Sequence, residues 1–210
     1  MINKNELDSI TGGLSKPSKM PCHSFSIPAS KCITGAKLRK IDKTICSKCY
    51  ALKGRYVFNN VQDALNRRYD ALNNPLWVEA MIETLQRFEK SAFFRWHDSG
   101  DLQSIDHLKQ IIAVCNGTSH LQHWLPTREY SIISQYLEQG NKLPTNLTVR
   151  LSAFMFNGNT PDAIAKRLGV QVSGATEQGY SCPSANQDNK CGNCRACWNK
   201  EVFSITYKKH

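Results

Sequence analysis

Four of the nine cysteines fall in 181-SCPSANQDNKCGNCRACW-198, namely Cys182, Cys191, Cys194 and Cys197. The residues between them are small or polar, so buried apolar surface cannot order this stretch, whereas a shared metal can. A Cys-x-x-Cys pair lets two sulfurs of one loop reach the same metal or adjacent irons, and Cys191, Cys194 and Cys197 extend that spacing to three. A second group comprises Cys32 with Cys46 and Cys49 of 46-CSKCY-50, and Cys22 stands upstream as a reserve ligand. Cys115 falls on an apolar helical stripe with Leu108, Ile111 and Ile112 and reads as a core residue.

Zinc favours two separated Cys-x-x-Cys knuckles that close a tetrahedron. The triple C-x-x-C-x-x-C with a more distant fourth cysteine is closer to bacterial ferredoxin spacing, so an iron–sulfur cluster of the [4Fe-4S] type is expected, with zinc as the alternative metal. A disulfide framework is disfavoured by the odd number of cysteines and by the absence of an apolar leader in MINKNELDSITGGLSK. No stretch approaches the ~18 consecutive apolar residues of a membrane span. The expected setting is the cytoplasm.

The formal charge is +10, unevenly spread: from Lys31 to Arg68 there are ten Lys and Arg against Asp42 and Asp63, a local excess of +8. Thiolate-ligated metal sites carry negative charge, so part of this excess would offset them. The 31–68 segment is otherwise a footprint for an anionic partner, nucleic acid or nucleotide, with Tyr50, Tyr56, Phe58 and Tyr69 as stacking groups.

The elements that must position these groups alternate. Short strands are expected at 23–29, 92–97, 120–126, 147–153 and 169–175. Helical apolar spacing appears at 61–72, 75–88, 104–115, 129–139 and 161–168. Asn74 with Pro75, and Thr160, are read as helix starts. The pattern predicts an α/β fold of about five βα units, a partial (β/α) barrel or a small open parallel sheet, carrying a cysteine-rich metal-binding C-terminal segment. Residues 1–20 read as a flexible tail, 21–178 as the α/β domain with its cysteine loop, and 179–210 as the cysteine-rich segment packed on it.

In parallel sheets ligands gather where strands end. Here those ends read 95-RWHDSGD-101, 126-PTRE-129, 150-RLS-152 and 173-SGATE-177. Asp98, Ser99, Gly100, Asp101, Arg128 and Arg150 are the candidate cofactor-binding residues, the arginines as bidentate partners for a ligand carboxylate. The competing structural reading makes Asp101 or Ser104 the N-cap of the next helix.

The stretches 46-CSKCYALKGRY-56, 94-FRWHDSGDLQS-104, 124-WLPTREY-130, 149-VRLSA-153 and the C-terminal CGNCRACW with Tyr207 and His210 resemble the bacteriophage "gene 88 protein" family from about Cys22 to His210. More distantly, a strand, a cysteine loop ending Cys-x-x-Cys-Tyr, a helix, and a strand ending in an acidic Gly-containing turn is similar to the start of radical S-adenosylmethionine (SAM) enzymes. That resemblance implies a cluster on Cys32, Cys46 and Cys49 and a SAM-facing turn at 98-DSGD-101. The thirteen residues between Cys32 and Cys46 depart from the much shorter spacing common in that superfamily.

The resulting expectation is an iron–sulfur protein, a radical-SAM-like enzyme acting on a nucleotide, nucleic acid or peptide. The alternatives are an electron-transfer or redox-sensing protein served by an electron donor, and a zinc-stabilised nucleic-acid-binding module. No membrane partner is expected.

Overall fold

The computed structural model of the protein describes residues 2–176 and 178–208. Glu177, which ends the SGATE stretch, and His210 lie outside the described residues.

The chain begins with helix α1 (Lys4–Thr11) and strand β1 (Ser24–Phe25). A long connection follows, carrying α2 (Ile33–Leu38), α3 (Asn59–Ala71) and α4 (Trp77–Phe88), and it leads to β2 (Phe93–Trp96). Next come α5 (Ile105–Gly117), β3 (Gln122–Thr127), α6 (Tyr130–Glu138), β4 (Leu147–Phe156), α7 (Asp162–Leu168) and β5 (Gln171–Ala175). The chain closes with β6 (Tyr180–Ser181) and β7 (Ser204–Thr206). All seven strands pair in parallel in the order β1-β2-β3-β4-β5-β7-β6. The ends do not meet, so of the two expected architectures the open sheet is the one formed, with two short strands more than the expected five. No helix is long and apolar enough to cross a membrane among the described residues.

Strands β1 to β5 are added in one direction, and right-handed crossovers then put their connecting helices on one face. That face carries the core: Phe25, Trp96, Leu125, Val149, Leu151 and Val172 from the sheet meet Trp77, Met81, Leu85, Leu108 and Ile111 from α4 and α5. Cys115 is fully buried within it, as its place on the apolar stripe of α5 predicts. Side chains alternate along a strand, so the opposite face receives Ser24, Arg95, Trp124, Thr148, Arg150 and Ser152. Among the described residues no α-helix covers that face; the cysteine-rich segment does, with its 3-10 turn Ala196–Trp198. Trp198 lies on Phe93 and Trp124, both with ring centroids 5.3 Å away, and its Nε1 donates to the Phe94 carbonyl at 2.8 Å.

Three local expectations are corrected. The supposed tail contains α1, because Asn3 caps it through Glu6 N at 2.9 Å, Gly12 ends it in a left-handed conformation, and Leu7 and Thr11 are fully buried. Helix α4 begins at Trp77, not at Pro75; Asn74 instead accepts from Leu76 N at 2.9 Å and forms the turn that leads in. Pro161, not Thr160, is the N-cap of α7, since the Thr160 hydroxyl is turned onto the Asp162 carboxylate. Ser104 does cap α5, accepting from His107 N at 3.1 Å.

Candidate metal centres

The first cysteine group sits over the C-terminal ends of the strands. Residues 43–45 pair antiparallel with the tip of β4: Ile45 N donates to Phe154 O at 2.8 Å and Phe156 N to Lys43 O at 3.1 Å. This anchors Cys46, and the turn closed by Cys49 N on Cys46 O at 3.2 Å brings Cys49 to the same side. Cys32 precedes α2, whose start is held by the buried carboxylate of Glu129, accepting from Thr34 N at 2.8 Å and from Thr34 Oγ1 at 2.7 Å. The thiols of Cys32 and Cys46 converge over Gly35: a Cβ at that glycine would lie 2.9 Å from Cys32 Cβ, 3.6 Å from Cys32 Sγ and 3.7 Å from Cys46 Sγ. A side chain at Gly35 would press on Cys32 Cβ and force it to shift, while both sulfurs lie within ordinary contact of that point.

These thiols are poor acids without a metal. Burial, then Asp101 and the neighbouring thiols, pushes Cys32 up to about 12. Burial also raises Cys46, against the pull of Arg128 and Arg39. Arg39, from the basic 31–68 segment, thus offsets some of the charge that thiolates would bring. The donor chemistry and the cradle at Gly35 suit a thiolate-ligated group, which would replace the solvation that burial removes.

The second group lies on the helix-free face, held there by Arg150. This guanidinium is fully buried, and all five of its N–H donors reach backbone carbonyls. Nε donates to Cys197 at 3.1 Å, the first terminal nitrogen to Val172 at 3.2 Å and Phe203 at 3.3 Å, and the second to Ala196 at 2.9 Å and Asn199 at 2.8 Å. Thr148 Oγ1 adds a bond to Trp198 O at 2.8 Å. Cys194 N closes a turn on Cys191 O at 3.0 Å, and Cys182 N binds Thr206 O at 2.9 Å beside β7. Two tyrosine hydroxyls face thiols here, Tyr207 on Cys197 Sγ at 3.4 Å and Tyr180 on Cys194 Sγ at 3.5 Å. Burial pushes the Cys197 thiol up to about 11, with Tyr207 and Arg150 pulling it back.

Arg150 therefore has no hydrogen left for a ligand, and its expected role is corrected: it faces the C-terminal segment, not the crevice at the strand ends. Asp98 is likewise turned inward. It accepts from Ser24 Oγ at 2.7 Å, Tyr56 Oη at 2.7 Å and the Ser26 hydroxyl, while Tyr50 donates to its carbonyl. Burial opposes its charge, but Arg95 and these hydroxyls win and hold it below the usual carboxylate range. Asp101 is not the N-cap of α5. Its carboxylate binds Leu102 N at 2.8 Å, Thr127 Oγ1 at 2.6 Å and Arg128 N at 2.9 Å, tying the ends of β2 and β3 together. Burial raises it to about 6 despite those bonds.

Gly100 adopts φ +81, and a Cβ there would strike Ile27 Cγ1 at 2.3 Å, so this turn is packed down onto the residues after β1. Ser99 Oγ and both ring nitrogens of His97 are buried without a partner, and His97 itself is in the left-handed region at φ 55. Arg128 remains the open member of the set: its Nε donates to Ala153 O at 3.1 Å, and its terminal nitrogens have no acceptor among the described residues.

Arg95 and Glu129, which stand in the strand-end stretches, and Tyr56, expected as a stacking group, take other roles. Glu129 and Tyr56 hold the cysteine loop and the acidic turn, and Arg95 acts on both Asp98 and the second thiol group, its guanidinium 4.4 Å from the Trp124 ring. Burial disfavours its charge, but Tyr50, Asp98, Tyr207 and Cys197 outweigh that and raise its pKa. A charge between Phe94 and Trp96 was a visible signal, since alternation sends it to the other face. Of the proposed stacking groups, Tyr50 and Phe58 expose 54% and 57% of their surface, whereas Tyr56 is engaged at Asp98 and Tyr69 lies under Lys31 Nζ at 4.7 Å.

Among the described residues no three Cys, His, Asp or Glu side chains are drawn together tightly enough to grip a single ion as they stand. A polynuclear cluster spaces its thiolates more widely than one ion does, because each sulfur binds a different iron.

No curated protein and no solved structure matches the chain. The family model described as Gene product 88 matches residues 2–200, and the chain belongs to that family.

Proposed function

We propose that this protein is an iron–sulfur protein with two cysteine-ligated centres, one at the C-terminal edge of the parallel sheet and one on its helix-free face. The observation that carries the reading is the convergence of Cys32 Sγ and Cys46 Sγ over Gly35, 3.6 and 3.7 Å from where a Cβ would stand. Cys32, Cys46 and Cys49 would hold the first centre with three thiolates, leaving one position for an exogenous ligand. When bound, such a cluster supplies one-electron chemistry.

The chain's own residues would supply the surroundings. Glu129 fixes the approach of Cys32 through α2, Asp101 orients the backbone at Arg128, and Arg128 presents two unpaired guanidinium nitrogens to an anionic group beside Cys46. A SAM-like ligand would meet Arg128, not Arg150, for its carboxylate. Radical-SAM-like chemistry on a nucleotide, nucleic acid or peptide is thus one use of the first centre; electron transfer or redox sensing is the other.

Purification without oxygen, followed by iron, sulfide and zinc analysis and a visible spectrum, tests the reading. Stoichiometric iron and sulfide with charge-transfer absorption support it. Zinc alone, in a colourless protein, would favour a zinc-stabilised nucleic-acid-binding module that uses exposed Tyr50 and Phe58 among Lys48, Lys53 and Arg55. Calorimetry with SAM on the cluster-loaded protein then separates the two uses of the first centre.

A further inference from the structure

The two groups leave over two cysteines, Cys115 in the main core and Cys22. Cys22 is 4% exposed and lies in one small apolar cluster with Trp124 and Trp198, with Cys197 and Tyr207 packed against it. All of these belong to the helix-free face. The chain leading to Cys22 is bonded to the cysteine-rich segment directly, since Cys191 N donates to Lys19 O at 2.9 Å. The same stretch is pinned to the sheet by the reciprocal bonds of Ser15 and Ser24, at 2.8 and 2.9 Å. Arg95 and Arg195 lie within electrostatic range of both Cys22 and Cys191, and Cys191 within range of Cys22. Among the described residues the first cysteine group has no such connection to it.

Resting on the reading above, we propose that Cys22 is a ligand of the second centre, joining Cys182, Cys191, Cys194 and Cys197 from across the helix-free face of the sheet. Five thiols then surround a centre that needs four, and the metal staples the segment after α1 to the C-terminal segment. Cys22 would be selected for geometry: it packs with Trp124, Trp198 and Cys197, and would close the centre on the side of that apolar pair.

The test uses the full chain, loaded with iron and sulfide without oxygen, as wild type, Cys22→Ser, Cys49→Ala and Cys115→Ser. Cys115 is equally buried but lies in the main core, so its variant controls for the loss of a buried thiol. The expected result is that Cys22→Ser loses one centre's iron, or alters its electron paramagnetic resonance, while keeping the iron that Cys49→Ala loses. Cys115→Ser should keep both centres. Wild-type iron and spectrum in Cys22→Ser, or loss confined to the centre that Cys49→Ala removes, would overturn the assignment. A wild type that takes up no iron would instead overturn the proposed function beneath it. Should Cys22→Ser fail to fold, selenium in place of the Cys22 sulfur keeps the shape. Its selenium-edge absorption must then show an iron neighbour, and a shell of light atoms alone would refute the ligation.

Discussion

Arg150 Nε donates to the carbonyl of Cys197 at 3.1 Å, so a strand residue at the centre of the sheet holds the backbone of a candidate ligand 47 positions away. The other four donors of the same side chain bind Val172, Phe203, Ala196 and Asn199, and one guanidinium thereby ties β5, the approach to β7 and the cysteine turn to β4. Lysine cannot reproduce a five-pronged planar fan. Arg150→Lys is therefore expected to lower stability by about 3 kcal/mol or more, because buried carbonyls lose charged donors. Urea denaturation with an unchanged slope would measure it, and Arg128→Lys, at a partly buried side chain with one hydrogen bond among the described residues, should cost under about 1 kcal/mol.

Glu129 and Thr34 make the second prediction. The carboxylate takes both the backbone N–H and the hydroxyl of Thr34 at the start of α2, which fixes the loop carrying Cys32. Glu129→Gln should cost about 1–2 kcal/mol and raise amide exchange across 33–38 without touching α5. Uniform loosening of the whole domain would show that Glu129 acts on the core and not on the loop.

The fold and the site were unequally readable in the chain. Helices α3 to α7 and strands β2 to β5 announce themselves through apolar spacing, since each buries one face on the core. Helix α1 does not, because only Leu7 and Thr11 of its eight residues are buried and its caps are polar. Strands β6 and β7, of two and three residues, are too short for any alternation to be seen. The spacing of the cysteines was plain, but the partners of Arg150, Asp98 and Cys22 lie 22 to 74 positions away or beyond, and no local pattern encodes them. The strand-end position of Arg150 suggested a ligand, yet the face on which it lies was decided by the pleat of β4.

Buried histidines set the acid limit of the apoprotein. Burial pushes His107 down to about 4 and His123 to about 3, from an ordinary value of 6.5. Unfolded chains bind these protons as the pH falls through 6.5, while the folded protein does not until about 4 and about 3, so stability falls with pH across that window. At about 1.4 kcal/mol per unit, each site contributes a few kcal/mol at pH 4. Urea midpoints measured from pH 7 to 4.5 should drop steeply in the wild type and less so in His107→Gln and His123→Gln. Parallel curves would contradict the assignment.

Tyr207 offers a test free of any metal. Its hydroxyl lies 3.4 Å from Cys197 Sγ and favours the thiolate against burial. Tyr207→Phe should therefore raise the Cys197 pKa and slow its alkylation in the apoprotein several-fold relative to Cys182, read by mass spectrometry. In the loaded protein the same change removes a hydrogen bond to a cluster sulfur and should lower the reduction potential.

Iron counted per chain in three proteins distinguishes two separate centres from one. Two four-iron clusters require about eight irons in the wild type. Cys49→Ala and Cys194→Ala should each lose about half, the first keeping the iron of the helix-free face and the second that of the sheet edge. About four irons in the wild type, abolished equally by either substitution, would mean that both cysteine groups converge on one cluster; no iron at all would remove the cluster reading altogether.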